Sequence, residues 1–88
     1  MIVVYRNNIQ IMGDILDNTL CQINSTKLLR KSNLPHSRFK VFMRKLTSND
    51  LINKIECDGK NIFIITEKGR LYLEEFKKFQ HILDSFGL

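Results

Sequence analysis

The sequence predicts a single α+β domain that is mostly helical, with a β-hairpin in its second half and a long helix at its end. Apolar residues recur every three or four positions in residues 7–20, 26–32 and 35–48 and again after residue 66, which is the spacing of amphipathic helices. Between these regions the period changes, and two runs rich in Ile and Phe flank Asp58 and Gly59, a pair typical of a two-residue hairpin turn. The expected order is therefore helix, helix-turn-helix, β-hairpin and helix.

The composition limits the size and the partners of this domain. Its 88 residues suffice for one modest hydrophobic core without disulfides or metal. Fourteen Lys and Arg against nine Asp and Glu give a net charge of +5 and a pI near 9.5. Such a protein should be attracted to polyanions, but charge alone does not separate DNA from RNA or from an anionic membrane.

No apolar run is long enough to span a bilayer, so no membrane segment is expected. The apolar residues 1–5 lack the charged lead-in and cleavage site of a signal peptide, which favours a cytoplasmic protein. These residues are equally consistent with a short strand, a packed lead-in or a frayed end. The two cysteines, Cys21 and Cys57, lack the spacing of a zinc site. We expect them to be reduced and packed, and no metal or other cofactor is expected.

The first helix is predicted over residues 7–20, with Asn7 or Asn8 as its N-cap and Gly13 as a weak or closely packed point. Residues 21–24 form a short link in which Ile23 is compatible with a brief strand. Ser25 is the predicted N-cap of a second helix over residues 26–32. This helix would place Leu28 and Leu29 inward and Lys27, Arg30 and Lys31 outward.

A break at residues 33–35 precedes the next helix, because a residue before proline avoids helical geometry. With the turn this short, the two helices form a helix-turn-helix, whose second helix is predicted over residues 35–48. On a helical wheel its apolar arc contains Phe39, Phe42, Met43 and Leu46. The opposite side contains Ser37, Lys40, Val41, Arg44 and Ser48, with Arg38 and Lys45 beside it. Four cations and no carboxylate suit a surface that faces phosphate, although an ordinary solvated helix face would also be basic.

The hairpin is predicted over residues 51–57 and 60–65, with the pairs Glu56–Asn61, Ile55–Ile62 and Lys54–Phe63 around its turn. Its apolar residues are concentrated at the base, so the tip, residues 56–61, should project into solvent.

The last helix is predicted to begin at Thr66 and to end near Gly87. Leu71 and Leu73 are expected to pack on the first helix. An apolar stripe with heptad spacing runs along the same helix. It consists of Tyr72, Phe76, Phe79, Leu83 and Phe86. A helix of about 20 residues is roughly 30 Å long, which exceeds what so small a core covers, so the stripe suggests a partner. The alternative is that the stripe folds over the first helix as part of the core.

This order of elements is that of a winged helix-turn-helix domain, and the chain resembles small archaeal winged helix-turn-helix DNA-binding proteins, which include transcriptional regulators and chromosomal proteins. The likeness covers about residues 6–86. It rests on the first-helix pattern at residues 11–16, on residues 25–29, and on Leu46 with Leu51 and Ile52. The most specific match is Ile65, Thr66, Gly69 and Leu73, which follow the signature I-T-x-x-G-x-x-x-L. The chain departs in having Phe39 or Phe42 where the family often has Tyr, and in a shorter C-terminal helix.

The resemblance implies double-stranded DNA binding. Helix 35–48 would enter the major groove, with Ser37, Val41 and Arg44 near base edges and Arg38, Lys40 and Lys45 on phosphates. Lys60, at the tip of wing 56–61, is a candidate flanking contact or simply a solvated lysine. Lys27, Arg30 and Lys31 would lie at the edge of the groove.

Residues 1–66 are expected to form the winged helix-turn-helix core, and residues 67–88 a C-terminal helix that packs on it and forms a homodimer. The alternative is a winged-helix protein–protein assembly module whose basic face meets an acidic partner. An enzyme is not expected, because the chain lacks a Gly-rich phosphate loop, an HExxH motif and a Ser/His/Asp signature. His36 and His81 are expected at a helix start and beside the stripe, respectively.

Overall fold

The computed structural model describes residues 7–87, so the expectation for residues 1–5 lies outside the described part. Within these residues, four helices and three short strands follow one another in the predicted order. They are α1 (Asn8–Asn18), β1 (Ile23–Asn24), α2 (Ser25–Ser32), α3 (His36–Ser48), β2 (Ile52–Cys57), β3 (Lys60–Ile65) and α4 (Glu67–Ser85). The predicted mostly helical α+β class is confirmed.

Helix α1 starts with a capping box. Asn7 Oδ1 accepts the amide of Gln10 at 2.8 Å, and the Gln10 side chain accepts the amide of Asn7 at 3.0 Å, so two free amides at the helix start are satisfied. The helix ends at Asn18, two residues before the predicted end. Thr19 leaves the helix because its carbonyl accepts the Ile65 amide at 2.8 Å, which joins the end of α1 to the sheet.

The cap of α2 differs from the prediction. Asn24, not Ser25, is the N-cap: its Oδ1 accepts the Lys27 amide at 2.8 Å, and Ser25 is the first helical residue. Asn24 also belongs to β1, so one residue ends the strand and starts the helix. The helix ends at Asn33, which adopts a left-handed conformation with φ of 55°, as an asparagine readily does.

Helix α3 follows the turn and begins at His36, with Pro35 as its N-cap. Its four predicted inward residues, Phe39, Phe42, Met43 and Leu46, are all buried. They pack in one core with Leu28 of α2 and with Ile11 and Ile15 of α1. The predicted apolar arc is therefore confirmed.

Strands β2 and β3 form the predicted hairpin, and β1 pairs with the other edge of β3, giving the strand order β1-β3-β2. The pairs Glu56–Asn61, Ile55–Ile62 and Lys54–Phe63 are confirmed. Both turn residues have positive φ, 51° at Asp58 and 76° at Gly59, as a type I′ turn requires. Strand β2 begins one residue later than predicted, because the Leu51 amide donates to the Leu46 carbonyl instead.

Hydrogen bonds fix the start of α4 against the residues that follow α3. Thr66 caps α4 by accepting the Gly69 amide at 2.9 Å, and its hydroxyl donates to the Asp50 carbonyl at 2.7 Å. Gly69 lies directly against the Leu51 carbonyl, and a Cβ added there would stand 2.7 Å from the Ile65 side chain. Gly69 therefore permits the close approach of the helix to the chain entering the hairpin.

Helix α4 packs on α1 through Leu73, which is buried as predicted, and through Phe76. The Phe76 ring fills the space above Gly13, where a Cβ would lie 2.6 Å from its Cδ1. Gly13 is thus a close-packing point. The prediction that Leu71 packs inward is wrong, since this side chain is 61% exposed.

The cysteines also depart from the prediction. Both are free, as predicted, but Cys21 and Cys57 are exposed and not packed. Cys21 lies in the link after α1 and Cys57 beside the hairpin turn, both away from the core. Across residues 7–87, no helix combines the length and the apolar character required to cross a membrane.

Candidate nucleic-acid interface

The outward face of α3 is a continuous exposed surface. Ser37, Val41 and Ser48 form its centre line, with Arg44 beside them, and all four are exposed. Val41 is 46% exposed although it is a large apolar residue on a helix with a well-formed buried face. An uncharged strip of small and medium side chains therefore lies where a ligand surface could approach the helix closely.

Cations border this strip on both sides. The helical period places Lys40 on the side that faces the hairpin and Arg38 and Lys45 on the other side, and all three are exposed. The Arg38 guanidinium carbon lies 5.7 Å from the centre of the Phe42 ring. This contact holds the arginine against the helix while leaving its charge at the surface.

The α3 cations have no carboxylate to neutralise them within residues 7–87. Helix α3 contains no Asp or Glu, and the ion pairs in this part of the chain all involve α4. Lys77 meets Asp17 at 3.2 Å, and Lys78 meets Glu74 and Glu75 at 3.8 and 3.4 Å. The positive charge of α3 is therefore available to an external anion.

A groove of about 390 Å³ separates α3 from the hairpin. We call it the α3–wing groove. Lys40 and Arg44 line it from the helix, and Lys54 and Asn61 line it from the strands. Lys54 was not predicted as a site residue, because its proximity to α3 depends on how the hairpin packs and not on its own sequence neighbourhood.

A second groove, of about 580 Å³, lies between the start of α2 and the hairpin tip. Lys27 and Arg30 of α2 line it together with Lys60 and Asn61 of β3. Lys31 is not in this group: it borders a separate depression beside Cys21. The structure thus brings Lys60 close to two of the three α2 cations.

The hairpin tip carries charge of both signs. Glu56 and Asp58 are exposed within four residues of Lys60. Two carboxylates beside one ammonium reduce the positive potential at the tip relative to α3. The tip is solvent-exposed, as predicted.

The predicted stripe on α4 divides into two parts. Phe76 is partly buried against the core, whereas Tyr72, Phe79 and Phe86 are 56%, 51% and 74% exposed and Leu83 is partly exposed. Ile82, which the heptad pattern omitted, is also half exposed. The outer half of α4 therefore presents an apolar surface that residues 7–87 of one chain leave uncovered.

His36 borders the α3–wing groove at the start of α3, and His81 lies on the exposed surface of α4. In the described part of the chain, no three His, Cys, Asp or Glu side chains form a group that could bind a metal ion.

Comparison with known proteins agrees with this architecture. The crystal structure of Sso10a-2, a DNA-binding protein from Sulfolobus solfataricus, matches with a TM-score of 0.85 and 23% identity, over 92% of this chain and 85% of that one. AF1382 from Archaeoglobus fulgidus matches with a TM-score of 0.72 and 19% identity over 85% of each chain. F-93 of SSV1 matches with 0.66 and 19% identity, over 86% of this chain and 87% of that one.

At these identities the solved structures establish the fold. No curated protein matches the sequence. The family model for the winged helix-turn-helix matches residues 5–84, nearly the whole chain. The helix-turn-helix, the hairpin wing and the helix that follows it are all present in the structure. The chain therefore belongs to the winged helix-turn-helix family, as its resemblance to small archaeal proteins implied, and not to a family of enzymes.

Proposed function

We propose that the protein binds double-stranded DNA and acts as a transcriptional regulator that inserts α3 into the major groove. The observation that carries this proposal is the outward face of α3, which is exposed, basic and free of carboxylates. An α-helix fits the major groove, where each base pair presents a distinct pattern of donors and acceptors. The structural similarity to Sso10a-2, a DNA-binding protein, supports the same function.

In this proposal the centre of α3 contacts bases and its borders contact phosphates. Ser37 and Val41 are small enough to approach base edges, and Val41 is suited to a thymine methyl group. Arg44 can donate two hydrogen bonds to guanine. Arg38, Lys40 and Lys45 would hold phosphates on the two sides of the groove, which positions the helix without selecting sequence.

The wing and α2 would contact DNA beside the site bound by α3. Lys60, Lys27 and Arg30 border one groove, which suits contacts to flanking phosphate. Lys31 would make at most a contact further along the backbone. Because Glu56 and Asp58 accompany Lys60, we expect the wing tip to contribute less than α3.

We further propose that the protein is a homodimer through α4. Tyr72, Phe79, Leu83 and Phe86 of two copies would form one two-fold interface, with Ile82 beside them. Burial of a large apolar side chain contributes about 1.5–3 kcal/mol, so several from each chain would offset a substantial part of the cost of association. Two reading heads would then bind two half-sites, which increases specificity. As part of the same proposal, we infer that the protein acts in the cytoplasm.

The test is the affinity of variants for duplex DNA, measured by fluorescence anisotropy. Arg44→Ala and Lys40→Ala should weaken binding while the free energy of unfolding stays within about 0.5 kcal/mol of the parent, because both residues are exposed. Arg44→Ala should also change sequence preference, whereas Lys40→Ala should mainly reduce the salt dependence. Arg70→Ala, an exposed arginine on α4, is the matched control and should bind like the parent.

Parental affinity in both α3 variants would refute the assignment of α3 to the major groove. A protein–protein assembly module would instead show little duplex affinity at physiological salt. Sequencing of genomic fragments retained by the protein tests the regulatory role: a regulator retains few sites, and a general chromosomal protein retains fragments without preference.

A further inference from the structure

Lys54 occupies an unusual position in the sheet. It pairs with Phe63 across the hairpin, so the two side chains share the face of the sheet that packs on the core. Phe63 is 5% exposed, and Ile52, on the same face of β2, is also buried. Lys54 is exposed, because at its position the sheet extends beyond the core and faces the α3–wing groove.

Within residues 7–87, no ion-pair partner explains a lysine at this point. The ion pairs formed within residues 7–87 do not include Lys54. Its neighbours across the groove are Lys40 and Arg44, which are also cations. Glu56 is the acidic residue on the same face of β2, two residues further toward the tip, and it does not line the groove. Three like charges around one groove repel one another, and an anion bound between them would offset this repulsion.

The groove is also lined by apolar side chains, which indicates what kind of anion it would bind. Its inner lining includes Phe39, Met43 and Phe63, all buried, while the cations stand at its rim. A lining that combines apolar side chains with exposed cations suits a chain in which an anionic unit alternates with a less polar one. The deoxyribose-phosphate backbone of DNA has this alternation, with one negative charge per nucleotide.

We propose that one strand of the bound duplex passes along the α3–wing groove and that Lys54 binds its phosphate. The inference rests on the proposed DNA binding and extends it to the wing. The stem of the wing holds the backbone against α3 through Lys54, whereas Lys60, beside Glu56 and Asp58, makes the weaker contact.

The test is the salt dependence of binding to a random-sequence duplex, measured by anisotropy for the full chain. Each phosphate contact contributes about −0.9 to the slope of log K against log salt concentration. Lys54→Ala should weaken binding several-fold and make the slope shallower by about 0.9. Lys54→Arg should retain both. Lys78→Ala removes the same charge from α4, where Lys78 already meets Glu74 and Glu75, and should change neither quantity.

The outcomes separate this inference from the function it rests on. If Lys54→Ala behaves like Lys78→Ala while Arg44→Ala and Lys40→Ala lose affinity, DNA binding stands and the role of Lys54 is refuted. If the parent does not bind duplex even at low salt, both proposals fail. A smaller slope change for Lys60→Ala than for Lys54→Ala is expected, and the reverse order would overturn the stem contact.

Discussion

Gly69 shows how a single residue determines the junction between the wing and α4. Its missing side chain lets the first turn of α4 touch the Leu51 carbonyl, which in turn accepts the Thr66 amide at 3.0 Å. Gly13 has a different role, because it makes room for a side chain, the Phe76 ring, and not for backbone. The two glycines should therefore differ in how well they tolerate a methyl group.

Gly69→Ala should lower the free energy of unfolding by about 1–3 kcal/mol, since its Cβ meets backbone that cannot move aside. Chemical denaturation followed by circular dichroism would measure this loss. Gly13→Ala is the comparison: the Phe76 ring can rotate away, and alanine is the better helix former by about 1 kcal/mol, so its loss should be smaller. A Gly69→Ala variant as stable as the parent would disprove the close contact.

Among the elements, the hairpin was predictable in detail and the helix ends were not. Asp58 and Gly59 select one turn type, and the turn type fixes the register of every pair from Cys57–Lys60 to Ile52–Ile65. The end of α1 depends on a hydrogen bond between Thr19 and Ile65, 46 positions away, which no local pattern reveals. The cap of α2 moved by one residue because both Asn24 and Ser25 are suitable N-caps.

For the candidate site as well, the part that lies on one helix was predictable and the part that depends on packing between elements was not. The outward face of α3 follows from helical spacing alone, and its residues are exposed as expected. Lys54 was missed because its neighbour across the groove, Lys40, lies on another element. The heptad spacing of α4 could not separate Phe76 from Phe79, since only the packing of Gly13 beneath the ring distinguishes them.

The turn of the wing depends on the glycine at its second position. Gly59→Val should lower the free energy of unfolding by at least about 1–2 kcal/mol, because a β-branched residue resists the positive φ of 76° found there. Gly59→Asn should stay near the parent, since asparagine tolerates this conformation. Thermal unfolding of the two variants gives the comparison. Equal melting temperatures would mean that the turn does not need its left-handed geometry.

In the whole molecule, the outer half of α4 has an apolar surface that contacts within residues 7–87 do not cover. We expect light scattering to find a dimer at tens of micromolar. Phe79→Glu combined with Leu83→Glu should give a folded monomer with weaker DNA binding, because charge cannot be buried in an apolar interface. Gln80→Glu combined with His81→Glu adds the same charges beside the stripe and should remain dimeric. A parent that is monomeric at this concentration would refute dimerisation through α4.

In the function proposed above, α3 and the stem of the wing together form the DNA-binding surface of the molecule. Titration of isotope-labelled protein with a duplex, followed by amide chemical shifts in NMR, tests it residue by residue at near-physiological ionic strength. The largest changes should occur in His36–Ser48 and around Lys54, with smaller changes at Lys60 and in the first turn of α2. Changes confined to α4, or none on addition of duplex, would contradict it.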